Sequence, residues 1–188
     1  NLQEINDQLR IGNQDQLATL EGLNSLSRVG GMDIYMNSQL RDFAGLENLT
    51  EIQYWLGISE NEGLVRLDGF DNLRRIGEGL RLERNNQLQV LDGFPQLESL
   101  RRLELRNSSL TSIRDFGVEN IEDGIILENN PMLVSIDGFS RLSYTRELMI
   151  RQNSELVSIR GFNALTSVEN LFFEQNEKLS EISGFQSL

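Results

Sequence analysis

The 29 acidic side chains are the only abundant groups in this 188-residue chain that could move a proton, because it contains no His and no Cys. That absence removes the imidazole base a Ser nucleophile needs, the thiolate nucleophile, disulfides and the preferred ligands of transition metals. A two-carboxylate glycosidase site stays formally open. Most of the acids, however, fall at outward or loop positions, where a solvated carboxylate is the ordinary role. No phosphate-cradling G-x-x-x-x-G-K-[ST] loop occurs, and no G-x-G-x-x-G stands between a strand and a helix. Asp68-Gly69, Asp92-Gly93 and Asp137-Gly138 recur as turn dipeptides, without the spacing of an EF-hand or a calcium-binding nonapeptide. The sequence therefore predicts no catalysis, no cofactor and no metal site. A net charge of −12 argues against nucleic acid and anionic membranes as partners. No run approaches the roughly 18 apolar residues of a membrane helix, so direct membrane insertion is not expected.

What remains is recognition, and the candidates lie in three rows of side chains that alternate with apolar residues. Such residues point outward from a strand buried on one face. The central row reads Arg10, Asp33, Gly57, Arg81, Glu104, Ile126, Met149, Phe172. The row after it reads Gly12, Tyr35, Ser59, Glu83, Arg106, Glu128, Arg151, Glu174, and the row before it Gln8, Gly31, Trp55, Gly79, Arg102, Gly124, Glu147, Asn170. Ile126, Met149 and Phe172 form an apolar row expected to face water, the mark of a contact site. Tyr54 and Trp55 add an aromatic pair, Tyr35 a further ring, and Arg81, Arg106 and Arg151 complete the candidate partner-binding set. The series Glu83, Arg106, Glu128, Arg151, Glu174 alternates in sign, which predicts cross-strand pairing.

These rows exist because the chain repeats. Segments 64–85 (LVRLDGFDNLRRIGEGLRLERN), 88–107 (LQVLDGFPQLESLRRLELRN), 133–153 (LVSIDGFSRLSYTRELMIRQN) and 156–176 (LVSIRGFNALTSVENLFFEQN) share the form LxxLxGFxxLxxIxxxLxIxxN. The lead Leu falls at 17, 40, 64, 88, 110, 133, 156 and 179, at intervals of 22 to 24 residues. A period this short brings equivalent strands together only in a solenoid. The reading is a right-handed, mainly β solenoid with about eight short parallel strands and little helix, one domain over residues 1–188. Asn at 37, 61, 85, 107, 130, 153 and 176 should form a buried amide ladder that satisfies the turning backbone. Phe70, Phe94, Phe116, Phe139, Phe162 and Phe185 should stack as an interior spine, with Leu23 and Leu46 continuing it. Gly22, Gly45, Gly69, Gly93, Gly138, Gly161 and Gly184 suggest a backbone shape that Gly adopts cheaply.

The pattern loosens over 114–124, where Asp115 stands in place of the turn Gly and Val118 and Ile121 sit one place off. A bulge or re-routed segment is expected there. Of the two glycosylation sequons, Asn107-Ser108-Ser109 is assigned to the ladder, leaving Asn48-Leu49-Thr50 as the one acceptor, and only in a eukaryotic secretory setting. The chain opens and closes mid-repeat, so it is expected to be a fragment of a longer protein, and its open ends predict fraying or end-to-end association.

The Gly-Phe, LxI and Asn positions, recurring in register from about Leu9 to Leu188, resemble the receptor L-domain type of leucine-rich repeat. The resemblance implies a non-catalytic recognition module, extracellular or on a cell surface, that binds a protein or glycan through the sheet face. Animal receptor L domains carry Cys-bonded caps and this chain has no Cys, which points to a microbial surface-protein type. The motif residues build scaffold, so no ligand contact is carried over. Competing readings are a structural spacer or adhesin stalk, and the scaffold domain of a larger enzyme.

Overall fold

A strand that buries alternate residues and then turns can satisfy its backbone only by pairing with another copy of itself. The computed structural model, which describes residues 1–114 and 116–188, shows that arrangement as a right-handed parallel solenoid of about eight turns. In chain order the strands are β1 (Glu4–Gly12), β2 (Arg28–Tyr35), β3 (Glu51–Ile52), β4 (Trp55–Ser59), β5 (Arg75–Glu83), β6 (Val90–Leu91) and β7 (Ser99–Arg106). They continue as β8 (Ser112–Ile113), β9 (Asn120–Glu128), β10 (Ser135–Ile136), β11 (Tyr144–Arg151), β12 (Ser158–Ile159), β13 (Ser167–Glu174) and β14 (Glu181–Ile182). Among the described residues, the only helix is a 3-10 turn at Glu21–Leu23, and no helix is long and apolar enough to cross a membrane.

The long strands form one parallel sheet in the order β1, β2, then β3 with β4, β5, β7, β9, β11, β13. Its register is the one the repeat implies: Arg10, Asp33, Gly57, Arg81, Glu104, Ile126, Met149 and Phe172 align strand by strand. A second parallel sheet, β14-β12-β10-β8-β6, is built of two-residue strands and was not expected. Its sequence trace is a dipeptide such as Ser-Ile, too short to show a period of two.

Part of the variation in repeat length is absorbed within the long strands. Four residues separate Ile76 from Leu80 in β5 but three separate Leu100 from Leu103 in β7, and the pairing steps across this difference by a local register shift. The same occurs in β9, where Ile121 to Ile125 is a four-residue step against three in β11. The bulge expected near 114–124 is therefore present, as one of several; Asp115 itself lies outside the described residues.

The turn after each long strand holds two columns. The residue before each ladder position has φ between 51° and 57°, at Asn13, Met36, Glu60, Arg84, Asn107, Asn129, Gln152 and Gln175. Such backbone costs on the order of 1 kcal/mol for a non-Gly residue. It is compensated by an amide that donates to the end of the next strand, as Met36 N does to Ser59 O at 3.1 Å. Next to it runs the amide ladder: Asn61 Oδ1 accepts from Asn37 N and Nδ2, both at 3.1 Å, while Asn61 Nδ2 donates to Ile34 O at 2.9 Å.

Asn107 is not part of that ladder. The buried position is Ser108, whose amide donates to Asn130 Oδ1 at 3.1 Å. Asn107 instead takes the left-handed position and donates to Glu83 Oε1 at 3.2 Å. The 22-residue interval between Leu88 and Leu110 had shifted the sequence alignment by one. Ser108 lacks the amide that would reach back to the Leu82 carbonyl, and its Oγ turns to Arg106 O at 2.9 Å.

The aromatic spine runs one turn further than the Gly-Phe motif indicates. Phe43 stacks on Phe70 with centroids 4.7 Å apart, and the series continues through Phe94, Phe116, Phe139, Phe162 and Phe185 at 5.0–6.3 Å. Phe43 occupies the position of Leu67 in the next repeat, so the Gly-Phe motif does not reveal it as part of the column. Phe185 is only half-buried. Among the spine glycines, only Gly45 and Gly69 have positive φ. At Gly93 and Gly184 the requirement is space, since a Cβ would lie 2.2 Å from Leu67 Cβ or 2.5 Å from the Arg160 carbonyl carbon, and Gly22 faces open space.

Candidate functional site

The outward face of the long-stranded sheet divides by side-chain size. Towards the N-terminal end, three glycines free the space beside two rings. A Cβ on Gly12 would meet Tyr35 Cζ, Cε2 and Cε1 at 2.2, 2.4 and 2.6 Å, and one on Gly79 would meet Trp55 Cζ3, Cη2 and Cε3 at 2.5, 2.6 and 2.9 Å. Near-equal distances to three ring atoms put each glycine against the face of the ring, so both rings lie across the sheet. Tyr35 leans towards β1 and Trp55 towards β5, away from Gly57, which lies between them on β4. The result is an open groove of about 550 Å³ with Gly57 in its floor and Tyr35, Trp55, Asp33, Ser59, Arg81 and Glu83 around it. That volume is within the range of ordinary small-ligand sites.

Charges around the groove are already matched. Asp33 accepts from Gln8 Nε2 at 2.5 Å and pairs with Arg10 at 3.5 Å. Arg81 Nε donates to Glu104 Oε2 at 2.8 Å, and its guanidinium carbon sits 5.4 Å from the Trp55 ring centroid. Among the described residues, the Tyr35 hydroxyl, the Trp55 indole N–H and the Ser59 hydroxyl have no side-chain hydrogen-bond partner in the protein.

The middle of the face is a charge cluster. Glu104, with a side chain 6% exposed, lies within 4 Å of Arg81, Arg102 and Arg106, and Glu128 pairs with Arg106 at 3.4 Å and Arg151 at 2.6 Å. The alternating series expected from the sequence thus forms only in part. Arg106, Glu128 and Arg151 connect, but Glu83 pairs with Arg84 and accepts from Asn107 instead. Glu104 had not been singled out, although three Arg on its own and the neighbouring strand are a legible signal for a buried carboxylate. Arg106 Nε, Arg151 Nε and Glu128 Oε2 are buried without a hydrogen-bond partner.

The apolar row at the other end differs from expectation. Ile126 is 5% exposed and belongs with the buried residues, Met149 is half-buried, and Phe172 is 36% exposed. Side chains on strands about 4.8 Å apart cover one another, so an outward Ile between Glu104 and Met149 does not face water. Phe172 lies on the edge strand β13, where even the core-facing Leu171 is 37% exposed. Tyr54 and Trp55 are placed apart: Trp55 lines the groove, while Tyr54, 48% exposed, does not.

The groove and, apart from Arg151, the charge cluster fall within residues 3–142, the span matched by the family model for the receptor L domain. The chain belongs to the receptor L domain family. Receptor L domains are ligand-binding modules of receptor type, non-catalytic in fold and found as parts of extracellular receptors. No curated protein and no solved structure matches the chain significantly. The geometry therefore has to say which part of this receptor L domain meets a ligand.

Proposed function

We propose that the chain is a non-catalytic recognition module, secreted or on a cell surface, that binds a protein or glycan through the outward face of its main sheet. The groove between Tyr35 and Trp55 is the centre of that contact, with Arg81 beside it. The observation that carries this reading is that both rings lie flat against glycines while, among the described residues, their polar ends have no side-chain hydrogen-bond partner. Two large rings laid across a sheet and left half-exposed do little for the core, and such rings are the usual anchors of interfaces. Arg106 and Arg151 then form the polar rim. A second contact, favoured by the exposure of Phe172, is the apolar strip of Met149 and Phe172 at the sheet edge.

The test is to probe arrays of glycans and of surface-protein ectodomains with the tetramerised chain, then repeat with two double variants. Tyr35→Ala with Trp55→Ala should reduce binding at least about tenfold. Met149→Ser with Phe172→Ser should have a smaller effect. Binding that ignores both pairs would move the contact off this face, and a chain that binds nothing in either array would favour the spacer reading.

A further inference from the structure

We infer that the groove takes a neutral oligosaccharide whose sugar rings lie on the outward faces of Tyr35 and Trp55; this rests on the recognition reading above and names its ligand class. The first ground is the shape of the two platforms. Each ring has one face against a glycine of the neighbouring strand, which leaves its other face turned away from the sheet, fully at Tyr35 and at Trp55 shared with the Arg81 guanidinium 5.4 Å from the ring centroid. The face of an aromatic ring is its electron-rich side and attracts the polarised C–H groups along a pyranose face. The rings lean in opposite directions across β1 to β5. Their separation across the strands is therefore two to three strand spacings, roughly 10–14 Å. That span suits several linked sugars and exceeds one.

The second ground is charge. An ionic ligand would need an unmatched charge, and the groove offers none. Asp33 is held by Arg10 and Gln8, Arg81 by Glu104, and Glu83 by Arg84 and Asn107. Each of these groups still has lone pairs or N–H bonds to spare: Arg81 donates to Glu104 through Nε, leaving its terminal N–H groups for a ligand. Together with the unpartnered Tyr35 hydroxyl, Trp55 N–H and Ser59 hydroxyl, they give donors and acceptors of both kinds in one shallow floor. Hydroxyl groups, each donor and acceptor at once, fit such a mixed set better than a phosphate, a carboxylate or an ammonium would. Gly57 keeps the floor open, since a side chain there would run into the Asp33 carboxylate, 2.6 Å from its Cβ position.

Trp55 is the single tryptophan of the chain, so its emission reports on the groove alone. The chain is titrated with neutral tetrasaccharides of the glucose, mannose and N-acetylglucosamine series, and with a uronic-acid tetrasaccharide. At least one neutral saccharide should shift Trp55 emission saturably, with affinity changing less than about twofold when salt is raised from about 0.05 to 0.5 M. Tyr35→Ala should weaken that binding at least about tenfold, and Gly57→Val should do the same by filling the floor. Urea unfolding of both variants identifies any that fail to fold. The inference is overturned if no neutral saccharide shifts the emission, if only the uronate does so in a salt-sensitive way, or if neither folded variant weakens binding. A protein partner captured by the wild type and lost in Trp55→Ala, with no saccharide response, would overturn the glycan inference and leave the recognition reading standing. Loss of both would sink the two together.

Discussion

On the N-terminal half of the outward face, Tyr35 and Trp55 lie across Gly12 and Gly79 with Gly57 open between them. On the C-terminal half, Ile126, Met149 and Phe172 occupy adjacent strands in one row with no glycine among them. The two halves share the same parallel pairing, yet the first makes a groove and the second closes over itself until, at the edge strand, Phe172 emerges. At about 4.8 Å between strands, large neighbours shield each other. A flat parallel sheet thus gains a site where side chains are removed beside a ring, and adding apolar side chains works against one.

The comparison breaks most readily at Ile126. If it is core, Ile126→Ser should cost about 2–4 kcal/mol in urea unfolding, and Phe172→Ser about half as much. Equal small losses would return the row to the surface and restore it as the leading contact. Next in size is Glu104→Gln at the boundary between the halves, which removes the carboxylate shared by Arg81, Arg102 and Arg106. Because the three guanidinium groups are partly exposed, the expected loss is about 1–2 kcal/mol. A neutral outcome would mean that the cluster does not position Arg81.

A smaller effect of opposite sign is expected in the turn between β7 and β8. Ser108→Asn would supply the missing amide towards Leu82 O and raise stability by about 0.5–1 kcal/mol. A loss of stability would show that the shortened turn has no room for the larger side chain.

The smallest effect lies on the second sheet, remote from both halves. A hydrogen bond from Arg160 holds the exposed Glu181 carboxyl below its ordinary value of 4.5. A carboxyl with a lowered folded-state value stabilises the fold above its unfolded value and loses that contribution as pH falls through the lowered one. Glu181→Gln should therefore flatten the acid limb of the stability profile only slightly and leave groove binding unchanged. A marked change in binding would link the two sheets.

The repeat was legible because Leu, Gly-Phe, LxI and Asn recur at 22 to 24 residues, and each type answers a backbone or packing need that every turn shares. Where one turn departs, the sequence misled. The short interval after Leu88 hid Ser108 behind Asn107, and Phe43 entered the aromatic spine from a position that later repeats give to Leu. The left-handed residues were invisible, since Met36, Glu60, Arg84 and Gln152 have no type in common; the next strand selects that conformation by accepting their amides.

For the site, the sequence by itself determined which side chains point outward, because alternation along a strand is set by the covalent pleat. It named Tyr35, Trp55 and Arg81 on that basis. Only the tertiary structure decided that the two rings lean apart over glycines one turn away on either side, that Ile126 is covered and that Glu104 gathers three Arg. Those outcomes depend on the volumes and charges of neighbours 22 to 25 residues away, and a side chain settles its direction only after the adjacent strands are in place.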